Sequence, residues 1–529
     1  MRELMVAGTL MCAGSVMAQN LAMINNPQIS IPSVQREMRA AWVASVYGID
    51  WPTTRGTTTT SIASQRTQMN AILDGMAAAN MNCVFLQVRS AGDAMYPSTL
   101  EPWSYYLTGR QGLAPTGTYD PLAEWIVAAR QRGMQLYAWV NPYRMIVNVP
   151  SFSPPPGTGW VDTATTSSTA YVHPLHSYRS RPSVVKLYEN SSGADQYWLD
   201  PGEPASAAHS KAVIMDIVNR YDIDGLVFDD YFYPYPNGLY AFPDTSSFAL
   251  YGGGLTLSNW RRKNVNDFVY DIYTSIKAAK PQCLFGIGPF GIWQPGNPAG
   301  VTGLNSYAEL YADSKLWLNN GWVDFLAPQL YWKISSTGQP YGSLLNWWVS
   351  QNTQGRHVWA SNYTSQLIGN TWPAQEIIDQ ISVTRNTPGA TGNVHYSAKV
   401  IRDDTQSLKT LLANGLYSTD ALIPASAWLD NAAPARPILS YSKSSSQHLF
   451  TWSLPGGSDA ARWYLISTLV GTTWSHSVVP SSTLSTVVNI KSASGSLRAI
   501  GVAAVDKSGN QSAYATRVFD PSVLTTRVR

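Results

Sequence analysis

The sequence predicts an α/β protein: a (β/α)8 barrel followed by a small all-β sandwich. Three observations carry that prediction. From Arg39 to Ala413 short apolar runs of strand type alternate with segments of helical period, the pattern of a parallel sheet. Eight such units follow in strict alternation, and no glycine-rich dinucleotide fingerprint follows the first strand, which favours a closed TIM-type barrel over an open doubly wound sheet. Beyond Pro437 short strands recur at regular spacing, as in a sandwich.

In chain order, the opening stretch MRELMVAGTLMCAGSVMAQN has a thin basic start at Arg2, an apolar run, and small residues Val16 and Ala18 before a plausible cut. It reads as a signal peptide over residues 1–18, and Thr9-Leu10-Met11 before Cys12 is a poor lipidation box. No other apolar run approaches the ~20 residues that span a bilayer, so the expectation is a soluble chain, periplasmic or secreted. Cys83 and Cys283 read as buried thiols rather than a disulfide or a metal site.

The predicted strands are Ala40–Val46, Asn82–Ser90, Met134–Pro142, Ile223–Asp230, Cys283–Pro289, Val323–Trp332, His357–Asn362 and Asn393–Ala398. Helices with suitable caps are predicted over Ser61–Ala79, Pro121–Arg132, Pro204–Tyr221, Ser258–Ala279, Tyr307–Asn319, Leu344–Asn352, Pro373–Arg385 and Thr405–Ala413. The long stretch from Pro142 to about Gly202 reads as one wall of a cleft. Within it, His173 and His176 lack a third metal ligand and read as ordinary hydrogen-bonding histidines.

Several strands close on a polar or aromatic group. Arg89 ends the second, Asn141 and Tyr143 the third, Asp229 and Asp230 the fourth, Gln329, Tyr331 and Trp332 the sixth, Asn362 the seventh, and His395 the eighth. Barrel chemistry sits at the C-terminal rim, so these residues converge on a candidate site, although strand ends are wet in any barrel.

Composition narrows the ligand. Charged residues are only 13% while aromatics reach 12%, with 20 Trp and 29 Tyr, which suits either stacking on pyranose faces or a large aromatic core. A formal charge of +3 without a basic run argues against nucleic acid.

Glycosidic cleavage needs a proton donor for the leaving oxygen and an electron pair at the anomeric carbon. No second strand end offers a carboxylate, leaving the loop acids Asp50, Asp93, Asp200, Glu203 and Glu309 as partners in a conventional two-carboxylate glycosidase. Adjacent acids suffice if the sugar carries a 2-acetamido group: its carbonyl attacks, one carboxylate orients it, and the other acid protonates the leaving group. Repulsion would raise one pKa of the pair. The bland reading of Asp229 and Asp230 is a loop salt bridge to Arg89 or Arg144.

The motifs REMRAAWVASVYGIDWP, YAWVNPYR, YWLDPGEP, YDIDGLVFDDYFYPYP, FGIGPFGIW, YADSKLWLNNGWVDFLAPQLYW and ALIPASAWLD together resemble the bacterial glycosyl-hydrolase-like family 10, over about Arg36 to Asp430. That resemblance implies a barrel at 36–430 and hydrolysis of polysaccharide, with stem-free peptidoglycan strands as the substrate of a divisome-associated member. DGLVFDD is also similar to the DGxDxDxE strand of chitinase-like barrels, with Tyr231 where the catalytic Glu would stand, which moves the role of acid to Asp230. Residues 435–529 resemble a fibronectin type III module, a spacer or docking surface for cell wall or protein.

The expectation is therefore an exported hydrolase of N-acetylated glycan without metal or cofactor. Asp229 orients and Asp230 protonates. Arg89, Asn141, Tyr143, Gln329, Tyr331, Asn362 and His395 line the sugar, and Tyr233, Trp293 and Trp332 offer stacking platforms. A non-catalytic glycan-binding barrel is the answer of a different class.

Overall fold

The computed structural model describes residues 29–146, 176–189, 195–236, 238 and 241–524. The signal peptide, His173 and much of the stretch after the third strand lie outside them. Chain contacts divide the protein into one unit at 36–418 and another whose described parts are 29–35 and 419–524.

The first unit is a closed parallel barrel. Its strands are β1 (Met38–Val43), β2 (Cys83–Arg89), β3 (Gln135–Val140), β4 (Gly225–Phe228), β5 (Leu284–Ile287), β6 (Phe325–Leu326), β7 (His357–Asn362) and β8 (Ala390–His395). Each pairs with its neighbour in sequence, and β8 closes on β1, with Ala41 opposite His395. The principal intervening helices are α1 (Thr59–Ala78), α2 (Pro121–Gln131), α3 (Pro204–Arg220), α4 (Leu257–Ala279), α5 (Ser314–Asn319), α6 (Tyr341–Ser350), α7 (Ala374–Arg385) and α8 (Leu408–Asn414). Thr58, Asp120 and Thr256 cap α1, α2 and α4 by accepting from a main-chain N–H three residues on.

Aromatic rings fill the barrel interior. Phe325 stacks on Trp359 at 4.3 Å, Phe85 on Tyr137 at 5.1 Å, and Trp42 meets Phe85 and Trp139 edge-on at 4.9 Å. Such large rings fit only because β4 and β5 carry glycine opposite them. A Cβ on Gly225 would lie 2.7 Å from the Tyr137 ring, and one on Gly286 2.4 Å from that of Phe325. Both cysteines are buried free thiols.

Four expected elements differ. Tyr307–Asn319 is not one helix: it breaks into Ser306–Glu309 and α5, because Tyr311 takes φ +55° and Asp313 caps the second piece. The segment after β8 forms a helix at once, Ala398–Arg402, before α8. β6 is short because Pro328 has no N–H for the ladder, yet Gln329 beyond it still bridges to Phe290 and Ser361. In the stretch after β3, Arg144–Ile146, Asp195–Leu199 and Val185–Glu189 form a three-stranded antiparallel sheet, and Trp198 Nε1 donates to Phe232 O at 2.7 Å. That bond braces the segment leaving β4.

The second unit contains two antiparallel sheets. Ile438–Lys443, Gln447–Ser453 and Ser485–Asn489 form one, and Thr473–Pro480, Trp463–Val470, Gly495–Val505 and Ala515–Val518 form the other in that order. Strict alternation along Gln447–Ser453 buries His448, Phe450 and Trp452; Phe450 and Trp452 join Tyr464, Ile500 and Val502 in one core, and His448 packs on Phe519. Residues 419–430, within the span expected for the barrel, fall in this unit: Asp420 accepts from Val478 N at 2.9 Å and Leu422 packs on Trp463 and Leu465.

Candidate active site

β4 leaves its ladder after Phe228, so Asp229 and Asp230 are free of the strand's alternation and both face one cavity at the C-terminal rim. That cavity holds about 320 Å³. Trp42, Trp139 and Gln87 come to it from β1 to β3, Tyr231 and Tyr235 from the β4 loop, and Gln329, Tyr331, Tyr363 and Tyr396 from the ends of β6 to β8. Tyr331 packs on Tyr363 at 4.8 Å and on Tyr396 at 5.9 Å, making an aromatic wall.

The two carboxylates are each 4% exposed and differ in their partners. Asp230 receives two donors: the Tyr235 hydroxyl on Oδ2, and Gln329 Nε2 on Oδ1 at 3.0 Å. Asp229 receives Asn141 Nδ2 on Oδ2, while its Oδ1 is buried without a hydrogen bond. Burial pushes Asp229 up to about 7, with the Asp230 charge adding to it and Arg144 opposing. Burial also raises Asp230, against the donors Tyr235 and Gln329 that favour its ionised form. Of the two, Asp229 is pushed toward the protonated form by burial and by the Asp230 charge, while the donors on Asp230 favour its ionised form.

Neither carboxylate is tied up in the salt bridge the bland reading requires. Arg89 is held by buried Glu101 at 2.7 and 2.6 Å. Arg144 donates to Tyr231 Oη, to Asn141 Oδ1 at 3.0 Å and to Ser90 O at 2.9 Å. Burial would raise the Glu101 carboxyl, but Arg89 and His209 beside it hold it well below the usual range.

Of the expected site residues, Gln329 and Tyr331 line the cavity with the two aspartates. Asn141 stands directly behind, taking Gln87 Nε2 at 2.8 Å on the oxygen that also accepts from Arg144. The structure places the others elsewhere. Arg89 braces Asn141 through its backbone oxygen. Tyr143 is buried against Phe268, and Tyr233 against Phe242 and Tyr311. Trp293 stacks on Trp347 and donates to Asp313 at 3.0 Å, and Trp332 packs on Phe290. Asn362 belongs to a buried network with Gln380 and Asn393, and His395, which burial lowers to about 4, faces Tyr417. His176 Nε2 lies 3.0 Å from Ala91 O and 3.1 Å from Met145 O, as an ordinary histidine does.

Two of the cavity residues not expected from sequence, Tyr363 and Tyr396, each sit one residue beyond a named one. A strand's alternation sends Asn362 and His395 away from the cavity and the next residue into it. The same period counted back from Asn141 points to Trp139. Among the described residues no three His, Cys, Asp or Glu side chains gather as a metal would require. No described helix is long and apolar enough to cross a membrane.

A parallel barrel whose rim gathers paired carboxylates and aromatic rings is the architecture of a glycan-cleaving enzyme. The model of the glycosyl hydrolase-like 10 family matches residues 37–383, and the chain belongs to that family. It is 36% identical over 428 residues to glycosyl hydrolase YngK of Bacillus subtilis, covering 79% of each chain. It is 33% identical over 334 residues to glycosyl hydrolase DigH of Escherichia coli K12, covering 61% of this chain and 72% of that one. The glycoside hydrolase domain of PgaB (BpsB) from Bordetella bronchiseptica is a structural neighbour at 13% identity and TM-score 0.45, covering 72% of this chain and 98% of that one. The protein is a glycoside hydrolase.

Proposed function

We propose that this glycoside hydrolase cleaves N-acetylated bacterial cell-wall glycan, with peptidoglycan strands lacking stem peptides as its substrate. One observation carries the reading: among the described residues the only carboxylates lining the cavity are the adjacent Asp229 and Asp230. Most of the loop acids a conventional mechanism would recruit are engaged elsewhere. Asp50 accepts from Ala44 N, Ser397 Oγ and Lys399 N; Asp93 from Tyr105 N; Asp200 from Gly202 N and Ser247 Oγ; Glu309 from Asn305 N. Glu203 precedes α3, away from the cavity.

With no second carboxylate across the cavity among the described residues, the attacking electron pair comes from the substrate's own acetamido oxygen. It bonds to the anomeric carbon as the glycosidic C–O bond breaks. Asp229, carrying the resting proton, gives it to the leaving oxygen; Asp230, ionised under its two donors, accepts from the acetamido N–H and balances the charge of the ring formed. Water then opens that ring and returns the proton to Asp229. This reverses the division of roles expected from sequence, and the donor pattern is the reason. The aromatic wall excludes water from the reacting centre and stacks on the sugar.

Export by the amino-terminal segment would bring the enzyme to such a substrate. The strand pairing of the second unit supports its reading as a fibronectin type III-like module, a spacer or docking surface. Mass spectrometry of products from stem-free and stem-bearing peptidoglycan tests the proposal. Cleavage of stem-free strands by wild type, lost in Asp229→Asn and Asp230→Asn, is expected. Intact strands after incubation with wild type would remove it.

A further inference from the structure

Beside the cavity, the turn after β1 holds an aromatic ring at a cost to the backbone. Tyr47 has φ +58° and ψ 1°, a left-handed conformation that a residue with a Cβ adopts against steric resistance. Burial does not drive it there, because Tyr47 is 49% exposed. Strain of this kind persists where the surroundings over-determine it, and it clusters at ligand sites. The surroundings are visible: Gln87 Oε1 accepts from Ser45 N at 3.0 Å and from Val46 N at 2.9 Å, and both Gln87 and Val46 line the cavity.

Tyr47 meets the edge of Tyr106 at 5.7 Å, and Tyr106 meets Tyr105 at 5.6 Å. Arg55 ends the row. Its exposed guanidinium lies 4.7 Å over the Tyr105 ring and 5.6 Å from that of Tyr106. The row is continuous with the cavity through Val46, which lines the cavity and packs in one cluster with Tyr106 and Tyr105.

We propose that this row is a second sugar-binding subsite, where Tyr47 stacks on the sugar next to the reacting one and Arg55 pairs with a carboxylate carried by that sugar. The inference rests on the reading that a glycan strand is cleaved in the cavity. A guanidinium already fixed over an aromatic face presents its forked donors with little further loss of freedom. In a stem-free strand alternate sugars carry a free lactyl carboxylate; with the stem attached that group is an amide. The subsite thus gives a physical reason for preferring the bare strand.

The test is binding by the full chain in an Asp229→Asn background, so that no turnover intervenes. The probes are stem-free strands and the same strands with their carboxylates reduced to alcohols. Tyr47→Gly should weaken both by about tenfold, the scale of one good aromatic contact, while raising Tm because glycine accepts the left-handed conformation. Arg55→Gln should weaken the charged strands by about fivefold and leave the reduced strands unaffected. Unchanged binding by Tyr47→Gly, a fall in its Tm, equal effects of Arg55→Gln on both strands, or no binding by the parent would each overturn the subsite. Hydrolysis by wild type is a separate readout, so a failure of the proposed function is distinguishable from a failure of the subsite.

Discussion

Two carboxyl groups at one strand end, both nearly out of solvent, cannot ionise together without large cost, and their partners decide which one holds the proton. Tyr235 and Gln329 stabilise charge on Asp230; Asn141, Tyr231 and Arg144 favour charge on Asp229, but burial and the Asp230 charge beside it outweigh them. Asp229, raised from 3.8 to about 7, therefore favours the protonated form in the folded state. The sign for stability follows. Its contribution is fully present below the unfolded value and is lost as pH rises through about 7, so Asp229→Asn should raise Tm above pH 7 and have little effect near pH 4. Activity should fall along the same alkaline limb as the proton leaves. The variant should lose activity on natural strands by about 100-fold or more, yet recover on glycosides whose leaving group needs no protonation. Asp230→Asn should not recover there. A pH series with both leaving-group types reads these outcomes together.

At the scale of elements, the barrel interior depends on glycine facing aromatic side chains. Gly286→Ala places a Cβ into the Phe325 ring, which is already stacked on Trp359, and should cost about 1–3 kcal/mol in urea unfolding. An unchanged midpoint would show that the ring shifts freely. Here the sequence was informative and limited for definite reasons. Apolar period and caps located every barrel strand and most helices, because each strand is buried and each helix has one apolar stripe. The break at Tyr311 was hidden because the local residues favour a helix on both sides, and only the left-handed Tyr311 and the cap at Asp313 divide them. Position at a strand end points to Asn362 and His395 as site residues, whereas in the structure the next residues, Tyr363 and Tyr396, line the cavity. Arg89 looked like a ligand contact because its partner Glu101, twelve residues on in a loop, leaves no periodic trace.

For the molecule as a whole, the family match at 37–383 falls within the unit at 36–418, and so do the cavity and its two carboxylates. Hydrolysis is a property of that unit. The aromatic residues of the chain divide between two places: rings such as Phe85, Phe325 and Trp359 are core, while Tyr331, Tyr363 and Tyr396 line the cavity. The central claim is that the substrate supplies its own nucleophile. Re-acylating de-N-acetylated strands with acetyl or trifluoroacetyl groups changes the nucleophilicity of that oxygen and leaves the glycan backbone intact. The account predicts that wild-type kcat falls by more than about 100-fold, roughly 2.7 kcal/mol of barrier, on the trifluoroacetyl strands. Equal kcat on the two strands would contradict it.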